Sequence, residues 1–378
     1  MRSPIAFENK YYIVAGPFTA HRVSEQTMNE RGTFIAAMLD QSGRAYASAT
    51  ILRMQESSGT GTHLVQEFGF RALVDEVGAR VHCLAEALAI GRSEVFVNDA
   101  RWLAELHTAR EVPPALLTEL LTHLKAELVA NLPEADGPLA AGYVQTALES
   151  YALAPAAESK ANDDLNPHAD CLNRFLMAVL EARSADAETI INEAHSAGAS
   201  IPDLHHLVLT PAQRELGEMW HRAEISVAEE HLGSRIVERA LINLRARMSM
   251  APSAGKKVLL ASVSGNLHDI GLRVVADQFE MHGWTPVFLG ANMPVDDLAL
   301  AVREFEPDLV ALSAGLGLHL RATADSIKAI RTQRSDIPIL VGGGPFSCIE
   351  GLWKDVGADA CAETAKIAVE RGTRLTNA

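Results

Sequence analysis

Cysteine is scarce in this 378-residue chain, and the four present, Cys83, Cys171, Cys348 and Cys361, form no CxxC pair. That spacing excludes a zinc ribbon and a disulfide framework, and it predicts a reduced, cytoplasmic protein. Positive charge is also in deficit: 33 Lys and Arg face 48 Asp and Glu, a net charge of −15. An acidic surface disfavours non-specific nucleic-acid binding, which depends on displacing counterions from phosphate. No run of about 18 apolar residues occurs, so no membrane span is expected. The first residues carry Glu8 where a secretion signal would need an apolar stretch. What remains is ordinary globular material, 48% hydrophobic and 21% charged, long enough for two or three domains.

Three regions follow from the patterning. Residues 1–153 read as short strands followed by a helical domain. Tyr11 to Val14, Phe34 to Leu39 and Tyr46 to Met54 are the expected strands, with Asp40-Gln41-Ser42-Gly43 as a hairpin turn. The stretch Ser57 to Gly61 interrupts, and helical periodicity then runs to about Tyr151, with stops near Gly91, Pro113-Pro114 and Pro133. Leu116, Leu117, Leu120, Leu121, Leu124 and Leu128 make one apolar stripe, read as packing surface. After an aperiodic linker from Ala154 to Pro167, residues 168–250 read as a four-helix bundle broken at Gly198–Pro202, at Thr210-Pro211 and near Ala223. From 256 to 378, apolar strands at Val258, Val287, Leu309 and Ile339 alternate with helical runs. This predicts a parallel sheet covered on both faces. The fold class is therefore α/β plus all-α, with a mixed β/helical N-terminal domain.

In parallel sheets the ligand crevice lies beyond the carboxyl ends of the strands. The first strand runs into Asn266-Leu267-His268-Asp269-Ile270-Gly271, which puts an imidazole at that edge. Asn266 or Asp269 can bond one ring nitrogen and leave the other for a metal. Gly271 permits close approach, and the fourth strand ends in Gly342-Gly343-Gly344. Together with Ser313-Ala314-Gly315 after the third strand, these residues resemble the cobalamin-binding domain of methionine synthase and corrinoid proteins. That pattern is Asp-x-His-x-x-Gly, Ser-x-Leu and Gly-Gly. The resemblance implies that His268 ligates cobalt from below, with the nucleotide tail in a cleft lined by Ser313, Gly315, Gly343 and Gly344. Two positions depart from it: Asn266 replaces Asp, and Gly315 stands where Leu is usual, with Leu316 next.

The bundle contains Trp220-His221, a corner, and then Ser226-Val227-Ala228-Glu229-Glu230-His231. Thr210-Pro211-Ala212-Gln213 and Ser226 to Glu229 both read as helix-opening capping boxes. The corner between His221 and Ser226 can direct an indole, two imidazoles and a carboxylate toward one space. The Trp-His pair and the Glu-His pair resemble the helical cap of light-sensing cobalamin regulators of the CarH kind. By that resemblance, adenosylcobalamin is the dark ligand and Trp220 covers the upper face of the corrin. Glu230 and His231 bind the adenosyl group, and His221 becomes the upper cobalt ligand after light.

The N-terminal region shows no helix-turn-helix, so direct DNA binding is not expected. Its layout resembles photocobilins, relatives that add a bilin such as biliverdin. Cys83 or Cys348 are candidate attachment points, and His82, Trp102 and His107 are candidate pocket residues. The expected role is a non-enzymatic photoreceptor signalling to an unidentified protein partner through conformational or light-dependent homo-oligomeric change. A corrinoid methyl carrier and a cobalamin-responsive antirepressor are the competing readings.

Overall fold

Ile35, Leu39, Tyr46, Thr50 and Met54 recur at intervals of four and seven residues, and all are buried. They occupy one face of a single 28-residue helix, α1 (Glu30–Ser57). This corrects the expected strands at 34–39 and 46–54 and the hairpin between them. Each run alone looks strand-like, and the helical period emerges only when they are joined through Asp40–Gly43. Gly43 does not turn the chain. It faces the next long helix, its Cβ position 3.5 Å from Val81 Cγ1. The structure, a computed structural model, describes residues 30–57, 59–151 and 166–377. The expected strand at Tyr11 to Val14 and most of the expected linker lie outside the described residues.

Five further helices complete the N-terminal domain: α2 (Gly59–Phe68), α3 (Phe70–Ile90), α4 (Ser93–Ala109), α5 (Pro114–Asn131) and α6 (Gly137–Tyr151). Each stop has a local cause. Gly91 caps α3 in the left-handed region at φ 80°, and Pro114 opens α5 at a position where no amide donor is needed. The leucine stripe of α5 is fully buried, as expected.

The bundle comprises α7 (Ala169–Leu180), α8 (Ser184–Ser196), the continuous run α9 (Ile201–Leu204) to α10 (Thr210–His221), and α11 (Val227–Arg245). The expected break and capping box at Thr210-Pro211 are not there. The helix begins instead after Ser200, whose Oγ accepts from the Asp203 amide at 3.2 Å. It passes Pro211 by widening into a π turn at His205–Leu209. Proline cannot donate to the carbonyl four residues back. That carbonyl, Leu207 O, accepts from Asn166 Nδ2 at 2.9 Å instead. The capping box at Ser226 is present in both directions.

The C-terminal domain is a five-stranded parallel sheet of β1 (Lys257–Val263), β2 (Thr285–Met293), β3 (Leu309–Ser313), β4 (Ile339–Gly342) and β5 (Ala360–Ala362). The strand order is β2-β1-β3-β4-β5. Its principal helices are α12 (Ile270–Met281), α13 (Val295–Phe305), α14 (Leu320–Gln333) and α17 (Ala365–Leu375). Two short helices, α15 (Gly344–Cys348) and α16 (Leu352–Asp355), precede β5. The chain leaves β1 toward β2 on one side and returns to β3 on the other, so the topological switch lies between β1 and β3.

Both helical units rest on this domain. The bundle's α11 runs parallel to α12. Arg245 near its end pairs with Asp277 and Glu280, Arg273 reaches Glu238 at 3.8 Å, and Val274 joins the bundle core. The N-terminal domain shares a continuous hydrophobic core with the α13–α14 face of the sheet. Arg321 clamps that joint: its Nε donates to Glu86 Oε1 at 2.7 Å, its amide to Glu86 Oε2 at 2.9 Å, and its guanidinium also reaches Asp40. Arg92 pairs with Asp355 at 2.7 Å.

Candidate functional site

The loop after β1 carries His268 to the switch point and is held there by four polar side chains. Ser262 Oγ donates to His268 O at 3.0 Å. Asn266, fully buried, accepts from the His268 amide at 3.2 Å and donates Nδ2 to Ser313 O at 3.0 Å and, more weakly, to His268 O at 3.4 Å. Its amide therefore ties the loops after β1 and β3 together and spends its bonds on backbone, not on the imidazole. Asn292, in the left-handed region at φ 55°, accepts from the Gly265 amide at 2.7 Å. Behind the loop, buried His319 accepts from the Leu316 amide through Nδ1 at 3.1 Å. Its pKa falls to about 4 through burial, then the charges of His268 and of His82 on α3.

Sequence reasoning missed Ser262, Asn292 and His319. The segment Gly290-Ala291-Asn292 held a signal, since Asn tolerates positive φ where β2 bulges past β1. Nothing in sequence placed His319 behind Gly265.

His268 itself is exposed at the edge of the sheet. Crowding by surrounding protein lowers its pKa, opposed by the charges of Glu230 and Asp269. Glu230 belongs to the start of α11, so the charges of the bundle's Glu230 and His231 act on His268. Glu230 accepts from Ser234 at 2.7 Å and lies 2.7 Å from His231 Nδ1; Gln213 of α10 donates to Ser234 at 2.7 Å. Asp269 points toward Gly290, whose Cβ position is 3.5 Å from Asp269 Oδ2.

The glycines divide by cause. A side chain at Gly315 would lie 3.0 Å from Asn266 Oδ1 and 3.3 Å from His268 Cδ2, so glycine keeps the floor beneath the histidine loop low. Gly343, at φ 110°, leaves only 2.0 Å between its Cβ position and Ala314 O. The protein's own backbone demands that glycine. Gly344 similarly abuts Gly315 O at 2.9 Å, whereas at Gly271 a Cβ would meet nothing within 4 Å. Ser313 ends β3 with its carbonyl engaged by Asn266.

Trp220 and His221 face another neighbour. His221 is buried, its Nε2 2.9 Å from Trp102 O and its ring stacked on Trp102 at 4.8 Å and 12°. Trp102 also lies 6.2 Å from Trp220. Arg110, just beyond α4, donates to His221 O at 3.0 Å and Trp220 O at 3.2 Å. The corner thus splits: Glu230 and His231 attend His268, while the described contacts of His221 are with the N-terminal domain. The residues weighed for a bilin do not converge. His82 neighbours Asp40 at 3.6 Å, His107 is core, and Trp102 packs on His221 of the bundle. Cys83 is buried with its thiol pKa pushed well up, chiefly by burial, so only Cys348 of the two thiols is accessible.

Among the described residues, no group of three or more His, Cys, Asp or Glu is placed to hold a bare metal ion. A lone imidazole over a glycine floor suits a metal whose four equatorial positions arrive filled by a macrocycle. Residues 256–371 match a B12 binding domain family, and residues 171–245 match a second family also described as a B12 binding domain. The chain carries a cobalamin-binding module.

Relatives of the module include the HTH-type transcriptional repressor CarH of Myxococcus xanthus, 28% identical over 50% of this chain and 63% of CarH. A corrinoid protein of Desulfitobacterium hafniense is 28% identical over 42% of the chain and 76% of its own length. Among solved structures, the monomethylamine corrinoid protein of Methanosarcina barkeri superposes with a TM-score of 0.50 at 19% identity. It is covered over 99% of its length by 55% of this chain, a likeness of fold. No helix among the described residues is long and apolar enough to cross a membrane.

Proposed function

We propose that the chain is a cobalamin-dependent light sensor that holds adenosylcobalamin in the dark and passes a change at its cap to the N-terminal helical domain. The bound cofactor would supply visible absorption and a weak cobalt–carbon bond. His268 would hold cobalt from the sheet side, with Asp269, Gly271, Ser313, Gly315, Gly343 and Gly344 around the tail. Trp220, Glu230 and His231 would meet the upper group, and His221, if freed from Trp102, would offer the cobalt a second imidazole.

One observation carries this reading over a carrier: the His221 ring is stacked on and bonded to a helix of a different domain. A methyl carrier needs its upper face free for an enzyme, whereas here the cap's outer corner is already bound to α4. With cobalt as the other partner, that contact would give one side chain two alternatives, the requirement for a ligand-biased switch. CarH's similarity supports the reading.

The corrinoid-carrier reading is favoured by the similarity to the Desulfitobacterium protein. Reconstitution in darkness with adenosylcobalamin, followed by green illumination, separates the two. Spectral conversion accompanied by altered hydrodynamic size supports the sensor. A dark complex unchanged by light, together with methyl transfer from bound methylcobalamin to a thiol acceptor, refutes it. His268→Ala should abolish imidazole ligation in the absorption spectrum; an unchanged spectrum removes His268 as the ligand.

A further inference from the structure

We propose that α4 of the N-terminal domain forms a third wall of the corrinoid cleft, lined by Asn98 and Trp102, with Arg110 positioning the Trp220–His221 pair. The proposal rests on the cobalamin reading of the space between bundle and sheet.

One rigid helix touches both sides of that space. Near its start, Val95 packs on the short 3₁₀ turn Gly317–His319: a Cβ on Gly317 would lie 2.9 Å from Val95 Cγ1. The same turn ends in His319, whose Cδ2 is 3.5 Å from the Cβ position of Gly265 in the His268 loop. Seven residues after Val95, Trp102 stacks on His221 and flanks Trp220. At 1.5 Å per residue the two contacts are about 10 Å apart, enough for a flat macrocycle and an axial group to lie alongside.

Val95, Asn98 and Trp102 are spaced i, i+3 and i+7, so they share one stripe of the helix. Asn98 is half-buried midway along it, and its carboxamide makes no hydrogen bond with other described residues. A carboxamide there suits the amide side chains that fringe a corrin, since it both donates and accepts. Trp102 is 40% exposed although it sits at the meeting point of two domains. An indole at such a joint offers apolar area to a ligand.

Arg110 completes the arrangement without facing the cleft. Its two terminal nitrogens bond the last carbonyls of α10, and its guanidinium carbon lies 5.4 Å from the Trp220 ring. A cation at a helix C-terminus satisfies carbonyls that have no intrahelical partner. Arg110 is thus a positioning residue: it fixes the end of α10 and, through it, the direction of Trp220.

The test uses the full chain with Trp102→Ala, Trp102→Phe, Asn98→Ala and Arg110→Ala, and has two arms. In the apoprotein, backbone hydrogen exchange across residues 219–226 should accelerate at least tenfold in Trp102→Ala and Arg110→Ala and return toward wild type in Trp102→Phe. In the second arm, equilibrium uptake of adenosylcobalamin in darkness should weaken about tenfold in Trp102→Ala and Asn98→Ala, with Trp102→Phe recovering most of it. Melting temperature checks that the exposed-site variants remain folded; Trp102→Phe keeps the test decisive if Trp102→Ala does not.

Wild-type exchange in Arg110→Ala and Trp102→Ala overturns the positioning role. Wild-type uptake in Trp102→Ala and Asn98→Ala, alongside lost uptake in His268→Ala, overturns the wall but not the cobalamin site. A wild-type chain that takes up no cobalamin overturns the cofactor reading and the wall with it.

Discussion

Replacing Arg321 by Met gives the sharpest test of how the N-terminal domain is held. Glu86 is 3% exposed, and Arg321 gives it both a backbone and a guanidinium hydrogen bond, at 2.9 and 2.7 Å. Burial still outweighs Arg321's attraction, so the Glu86 pKa lies above its ordinary value. Removing the guanidinium strands a buried carboxylate, and breaking such pairs costs roughly 3–5 kcal/mol. A loss of that size should lower the melting temperature of the N-terminal domain by on the order of 10 °C. Adding Glu86→Leu should restore most of it, because a matched apolar pair avoids desolvating two charges.

The pH dependence has a definite sign. A carboxyl with a raised folded-state pKa favours the folded state at low pH, and that advantage is lost as pH rises through the folded value. Arg321→Met should therefore lie closest to wild type in mild acid and diverge as pH rises. Asp40 works in the opposite sense. Burial raises its pKa, but hydrogen bonds from His82 and Arg321 bring it down to about 2. In wild type its contribution is present above the ordinary value of 3.8 and disappears as pH falls toward 2. Urea unfolding followed by tryptophan fluorescence, repeated between pH 2 and pH 8, measures both effects. A single variant within about 1 kcal/mol of wild type at every pH, or no rescue by Glu86→Leu, refutes the reasoning.

Three other expectations concern the site and the cap. Asn266→Asp, which restores the family's carboxylate, should destabilise the fold at neutral pH by about 1–3 kcal/mol. Asn266 Nδ2 donates to Ser313 O and His268 O, and an ionised Asp would aim oxygen at oxygen; partial recovery in acid is the signature in denaturant titrations. Gly343→Ala places a Cβ 2.0 Å from Ala314 O at φ 110°. It should cost about 2 kcal/mol or more and lower the melting temperature, whereas Gly271→Ala, in open space, should leave stability unchanged. His205 is fully buried, neither ring nitrogen is bonded among the described residues, and burial lowers its pKa to about 4. Its neutral form supports the cap above the ordinary value of 6.5, and that support is lost as pH falls toward 4. His205→Phe should flatten this part of the acid-unfolding curve; an unchanged curve would show that His205 does not govern it.

The sequence alone carried the α/β module, because uninterrupted apolar strands alternating with helices have few other solutions. It also carried the Ser226 capping box, the buried leucine stripe of α5 and His268 at a strand's carboxyl end, since each is a local pattern with a local physical cause. It misled where two short windows looked extended, at 34–39 and 46–54. The helical period of α1 is visible only across Gly43, whose place against Val81 is a tertiary fact. It misled again at Pro211, where a π turn and the distant Asn166 amide absorb the residue that should have broken the helix.

Tertiary structure decided which candidates meet. Parallel pairing of α11 with α12 delivered Glu230 toward His268, through charges on residues far apart in sequence. Docking of α4 turned His221 toward Trp102, although it follows Trp220 directly in the chain. Adjacent residues on a helix point about 100° apart, so only the packing of a third domain could settle which neighbour each side chain serves.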